Sequence, residues 1–440
     1  MSHPTMRSLR FLPPPGRLVL QATQNHPDPG ARAYITPVLS RDRDSIAGAT
    51  GARDRDPRQT MSGLPRAFQP FLTWLTGKPL PGQHPLWLMT PWSHLLAGAM
   101  QLATGVGLSV AIGLSARPAL WPLYLLTWMI TVGAARKLQV MVCHQIVHTK
   151  LTGNKSLDRY IVEAITTPLW VQDYTGYAED HLKAHHGSDY GKEIDPDFAF
   201  LLRIGIKPGL SRRKLWRRLL TSLFSPRFHL IFLTSRFRSN FVGAPRKRVA
   251  MSVAYLAVFC IVATLTGHLV VTFFAWLFPI LILYQASALL QFVCEHRWEN
   301  SDEPNNMTKL AGFTVGRFCG EPAPQAGLRG IRLIGAWCWW WAKMMLVHLP
   351  SRLFVLVGDL PQHDWHHRNV SAKGSEWSNA AYARAKSISE LQPASPRYDE
   401  VWGLANAIDE VFIRLSKIPQ SSQADPDVAA RSSTISGGTV

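Results

Sequence analysis

The chain is poor in cysteine, with five in 440 residues: Cys143, Cys260, Cys294, Cys319 and Cys338. None forms a CxxC and no two share a paired spacing, which excludes a disulfide framework, an iron–sulfur domain and a zinc ribbon. The odd count, and positions within or beside apolar runs, fit reduced and buried thiols. No GxGxxG opens a strand–helix unit, so a dinucleotide fold is excluded. No HPGG haem-binding segment is present either, and no internal repeat or nucleic-acid-binding module can be found. Acidic residues are scarce, 29 against 47 Lys and Arg, giving a formal net charge of +18 and a pI near 10.0. Such a balance suits nucleic acid or an anionic membrane surface. The apolar fraction of 47%, gathered into long runs, favours the membrane.

Residues 1–60 are rich in Arg, Pro, Gly and Asp and have weak periodicity. No apolar signal-peptide core follows Arg7 and Arg10, because FLPPP is broken by prolines. This segment is expected to be disordered. A sharper expectation is that Met61 is the native start, since MSGLPRAFQPFLTWL reads as an ordinary N-terminus. Residues 61–415 then form one membrane domain, and 416–440 a polar, disordered tail.

Four runs are long and apolar enough to span a bilayer, which takes about 20 residues. They lie near 94–116, 119–138, 249–266 and 268–293. The short turns ARPA and TGH make them two hairpins. Between the hairpins lie Arg212, Arg213, Lys214, Arg217, Arg218, Arg236, Arg238, Arg246, Lys247 and Arg248. The positive-inside rule places that segment, and with it both termini, in the cytoplasm. The expected architecture is an all-α integral membrane fold of four transmembrane helices with a cytoplasmic cap and interfacial helices. Stretches 158–172, 219–235 and 331–347 are too short to span comfortably. In the last, Trp337, Trp339, Trp340 and Trp341 suggest a helix at headgroup level, with a fifth span as the alternative.

Histidine is where the chemistry concentrates. His144 and His148 stand in CHQIVH, His181, His185 and His186 in DHLKAHH, and His363, His366 and His367 in HDWHH. Neutral imidazole is the commonest protein metal ligand, and two at i and i+4 on a helix point the same way. Eight ligands exceed the four that one zinc ion usually takes, so a two-metal centre is expected. Imidazole-rich ligation suits iron. With two hairpins, all three clusters fall on one side of the membrane. His296, directly after the fourth run, is expected to be a ninth ligand or to hold a water on the metal. Asp180 and Asp364 are placed to accept the second imidazole N–H of a ligand, which fixes tautomer and orientation. Glu179 is expected to be solvated charge. His3, His26, His84, His94, His229 and His268 stand singly and carry no metal role, and His348 is expected to be structural.

Three boxes of this spacing, two before and one after a second apolar pair, resemble the integral-membrane fatty acid desaturase and hydroxylase superfamily. The resemblance covers roughly residues 90–370 and rests on the whole constellation. It implies two iron ions held by the eight box histidines, O2 as co-substrate, and His296 at a place where such enzymes often add a ligand. HxxxHH is one residue longer than the common second box, a variation the family tolerates. HDWHH lacks the flanks of well-known acyl desaturases, which leaves the substrate open. The implied activity is a membrane desaturase placing a double bond in a fatty acyl or other lipid chain. A hydroxylase or ketolase acting on an alkane, lipid or carotenoid is the alternative. Electrons would come from a separate ferredoxin-, rubredoxin- or cytochrome-type donor, and the substrate from the bilayer, with no nucleic acid involved. The expected location is a membrane of bacterial inner-membrane type. A metal-handling transporter is a remote alternative, because its sites would lie near the midplane rather than at span ends.

Overall fold

The structure is a computed structural model that describes residues 56–185, 195–298, 307–325 and 327–419. It is mostly helical. Among the described residues four helices are long and apolar enough to cross a membrane: Pro91–Ser115, Pro118–Val147, Arg246–Thr266 and Leu269–Glu295. They lie on the four runs expected from sequence. Their outer faces expose Leu96, Met100, Leu125, Val258, Ile261 and Leu265, a density of apolar surface that suits hydrocarbon rather than water.

Local chemistry sets the first helix. The Thr90 hydroxyl accepts from the Ser93 N–H at 3.1 Å, the Ser93 hydroxyl accepts from the Thr90 N–H at 2.7 Å, and Pro91 occupies the first turn. Small residues seat this helix against the second. A Cβ on Gly105 would come within 2.8 Å of the Thr131 backbone nitrogen, and Ser109 donates to Thr127 at 2.7 Å.

The second helix is longer than the expected 119–138. It winds as a π-helix over Leu138–Cys143 and returns to α at His144–Val147. Such π-helical turns inside α-helices are frequent at functional sites. Hydropathy missed the extension because its polar residues are covered by protein: His144 is 4% exposed and Gln145 1%. None of the other three apolar stretches is a candidate span among the described residues, although 331–347 lies in helical structure that runs unbroken from Gly330 to Phe354. In 331–347, Trp340 and Met344 pack inward on Met61, Leu72 and Leu75, while Ile331, Ile334 and Trp339 face outward. All five cysteines are free; Cys143, Cys294 and Cys319 are buried, whereas Cys260 and Cys338 are exposed, contrary to expectation. Both exposed thiols sit on apolar helices, where composition alone does not say which face turns inward.

The end of the fourth helix is locked by a core joining Leu289, Val293 and Trp298 to Phe198, Ile408 and Phe412. Trp298 stacks on Phe198, ring centroids 5.4 Å apart. Two short strands, Gly316–Phe318 and Glu400–Trp402, pair in parallel. An all-helical expectation lacked this sheet, since three-residue segments carry no readable periodicity. Arg317, on the first strand, donates to the Leu360 carbonyl at 2.9 Å and so fixes the backbone ahead of the third histidine box.

Two of the ten cations between the second and third apolar runs are buried: Arg236 is 4% exposed and Arg248 2%. Arg248 pairs with Glu163 at 2.6 Å and donates to Thr166, Asn240 and the Val171 carbonyl. Arg236 donates to the carbonyls of Leu169, Trp170 and Ile280. These two hold helices together rather than face a partner.

The folded body also begins before Met61. The Asp56 carboxylate caps the turn Pro57–Thr60 and pairs with Lys78 at 2.8 Å. Arg58 is fully buried and donates to the carbonyls of Lys78 and Gln69 and to the side chains of Thr73 and Gln83. Residues 56–60 therefore depart from the expected disorder through residue 60. Composition missed them because Arg58's partners lie elsewhere in the sequence. A chain begun at Met61 loses these bonds and is expected to be about 1–3 kcal/mol less stable than one begun at Asp56. Thermal melts of both in detergent check this; equal midpoints would make residues 56–60 dispensable. At the other end, the last helix, Leu404–Lys417, runs past the expected boundary at 415. Residues 1–55 and 420–440 lie outside the described residues.

Candidate metal centre

Each box is delivered by a different element. His144 and His148 come from the far end of the second helix. His181 sits in a second π-helical segment, Glu179–His185. His363, His366 and His367 lie on the short helix His363–Arg368. His296 follows the fourth helix in extended conformation, φ −132° and ψ 164°, so the chain turns sharply out of the helix there.

These residues converge in two buried groups. His144, His148, His181 and His366 form one, and His296, His363 and His367 the other; within each, one ligand atom per residue lies within 4.8 Å of the rest. The Nε2 atoms of His148 and His181 are 3.2 Å apart, and those of His363 and His367 are 3.0 Å apart. The groups adjoin, with the His366 and His367 ring centroids 5.1 Å apart. The third box is thus divided: His366 turns to the first group, His363 and His367 to the second. His185 lies at the end of its helical segment, its side chain beyond the described set, and His186 lies outside the described residues.

The donor set fits metal binding. Seven buried imidazoles converge with nitrogens nearly in contact, an arrangement that shared cations favour and that charged imidazolium would not tolerate. Burial, with Lys150 nearby, pushes the His148 pKa down to about 4, which keeps its lone pair available at neutral pH. Glu295 adds an anionic oxygen 3.2 Å from His363 Nε2. Trp377 covers the first group, its ring centroid 4.4 Å from His366 and 4.9 Å from His148. Tyr177 stacks on His181 at 5.5 Å.

Asp364 is fully buried and held by Arg384, which reaches both carboxylate oxygens at 2.9–3.0 Å. It also accepts from the Trp365 N–H at 2.8 Å. Arg384 continues to Glu400, and Glu400 to Lys78, so an ion-pair chain runs from the N-terminal turn to the third box. Asp180 is exposed and accepts from Gln172 Nε2 at 2.7 Å. Of the single histidines, His94 contacts the Ser378 carbonyl at 2.8 Å. His229 lies between Gln285 and the Leu223 carbonyl, and His348 Nδ1 accepts from the Gly320 N–H.

A cavity of about 300 Å³ opens on both groups. Its lining includes His144, His181, His363 and Glu295 together with Arg136, Gln139, Tyr284, Phe232 and Phe292. A second cavity, of about 460 Å³, lies beside Trp74, Trp87, Lys137, Arg352 and Asp359. Burial pushes the Asp359 pKa up to about 6. Sequence reasoning passed over Glu295, Arg384, Arg136, Tyr177 and Trp377. Adjacency to His296 was a usable signal for Glu295. Arg384 stands twenty residues after Asp364, and nothing local links the pair.

Comparison with known proteins agrees with the resemblance drawn from the boxes. Residues 119–320 match the fatty acid desaturase family, a stretch that holds the first two boxes and His296. No curated protein and no solved structure matches the chain.

Proposed function

With residues 119–320 matching the fatty acid desaturase family, we propose that this integral membrane oxidoreductase is an iron- and O2-dependent desaturase that places a double bond in a lipid chain. The observation that carries this is the pair of adjoining buried histidine groups opening on one cavity at the ends of apolar helices. A pair of iron ions held by His144, His148, His181 and His366 on one side, and His296, His363 and His367 on the other, would supply O2 activation. Desaturation removes two hydrogens from neighbouring carbons, while O2 takes up those hydrogens with two electrons and two protons to give two waters. Returning oxygen to the carbon instead gives an alcohol, and the same histidines serve either outcome. Trp377 and Tyr177 cover the first group and restrict water there.

In this proposal the four helices form two hairpins, and the histidine groups and both chain ends face the cytoplasm. Support comes from the cations between the hairpins, less the buried Arg236 and Arg248. Those that remain are candidates to receive an acidic electron donor or anionic lipid. Lipid profiling of cells with and without the protein is the test. A new alkene is expected, with about two irons per purified chain. A new hydroxyl in its place would make the protein a hydroxylase, and no iron would remove both activities.

A further inference from the structure

Arg136 is a buried cation whose hydrogen-bonding capacity the protein does not fill. It is 1% exposed. Its Nη1 donates to Gln139 at 3.3 Å, but its Nε and Nη2 have no acceptor among the described residues. Two buried arginines nearby differ: every guanidinium nitrogen of Arg236 and of Arg352 donates to a backbone carbonyl, and the buried Arg317 leaves one nitrogen, Nε, without an acceptor among the described residues where Arg136 leaves two. An unfilled buried charge is costly, so its retention calls for an acceptor supplied from elsewhere. Lipid headgroups, the usual partners of arginine at a span end, are excluded by its burial.

The acceptor's place is the cavity that Arg136 shares with His144, His181 and His363. Tyr284 backs the guanidinium, its ring centroid 5.1 Å away, and donates its hydroxyl to the same Gln139 oxygen at 2.9 Å. The acids on this cavity are otherwise engaged: Glu295 approaches His363 and Asp180 receives Gln172, while Asp197 stands in the first turn of the helix Pro196–Arg203. Arg136 and His144 lie on one continuous helix, eight residues apart, with the π-helical turn Leu138–Cys143 between them. Both residues line the same cavity of about 300 Å³.

We infer that Arg136 receives the carboxyl oxygens of an acyl substrate and so positions its chain in the cavity shared with the histidine groups. This deepens the proposed function and rests on it for the word substrate, but the binding can be tested alone. Radiolabelled palmitate is bound to iron-loaded protein in phosphatidylcholine nanodiscs and displaced by palmitate, methyl palmitate or hexadecane. Displacement by palmitate, alone or with the methyl ester, and weak displacement by hexadecane are expected. Arg136→Gln should weaken palmitate binding about 10- to 100-fold with its iron content unchanged, and Arg136→Lys should lie between. Should Arg136→Gln fail to accumulate, the wild-type displacement order and Arg136→Lys decide. Equal displacement by hexadecane, or full palmitate affinity in iron-loaded Arg136→Gln, overturns the inference even if lipid is oxidised. Arg136-dependent binding in a protein that oxidises no lipid would sustain it while the proposed function falls.

Discussion

Replacing His366 with alanine is expected to abolish lipid oxidation and to lower bound iron below two per chain. His366 turns away from its box-mates to complete the first group with His144, His148 and His181. Alanine leaves three described imidazoles there and opens a gap under Trp377, which packs on the missing ring. Loss of groups that merely orient a ligand costs 10–100-fold in affinity or activity, so loss of a ligand should exceed about 100-fold. Iron analysis and turnover on the same detergent-purified sample measure both effects. His229→Ala is the control, because His229 bonds Gln285 and Leu223 and belongs to neither group. Full iron and full turnover in His366→Ala would remove the residue from the site.

Arg384→Met should destabilise the fold by about 3–5 kcal/mol, the usual cost of removing one partner of a buried ion pair. Asp364 is fully buried and Arg384 2% exposed, so neither can turn to water for compensation. After the substitution, the Asp364 carboxylate keeps only the Trp365 N–H among the bonds described above. The double change Arg384→Met with Asp364→Asn should recover much of the loss, since no uncompensated charge remains. Thermal melts in detergent separate the three proteins. Iron content should fall with the single change, because Asp364 lies inside the helix that carries His363, His366 and His367. A single variant as stable as wild type would mean that the pair contributes no net stability.

The apolar helices and the histidine boxes were legible in the sequence because both are local patterns. A run of some 20 apolar residues declares itself whatever surrounds it, and histidines three or four apart share a helical face before any tertiary contact forms. Legibility stopped where partners are far apart in the chain. The second helix was read as ending at 138, because burial under protein, rather than lipid, accounts for the polar residues up to Val147. Nothing in the sequence marks Arg236 and Arg248 as buried, because charge is visible in a sequence and burial is not.

The sequence alone settled which residue types meet: imidazoles from three boxes, beside apolar helices and under a positive balance of charge. Only the tertiary structure decided how they divide. A six-residue helix places His363 and His367 on one side and His366 on another, and which side faces which group depends on how that helix is seated. Its seat is made by contacts distant in sequence: Arg384 on Asp364, Arg317 on Leu360, and Trp377 on His366. The same holds for Arg136, whose meaning comes from the cavity it lines and the acceptors it lacks among the described residues. Hydrophobic period and helix geometry act over a few residues, whereas ion pairs, cavities and the exclusion of water exist only once distant segments are packed together.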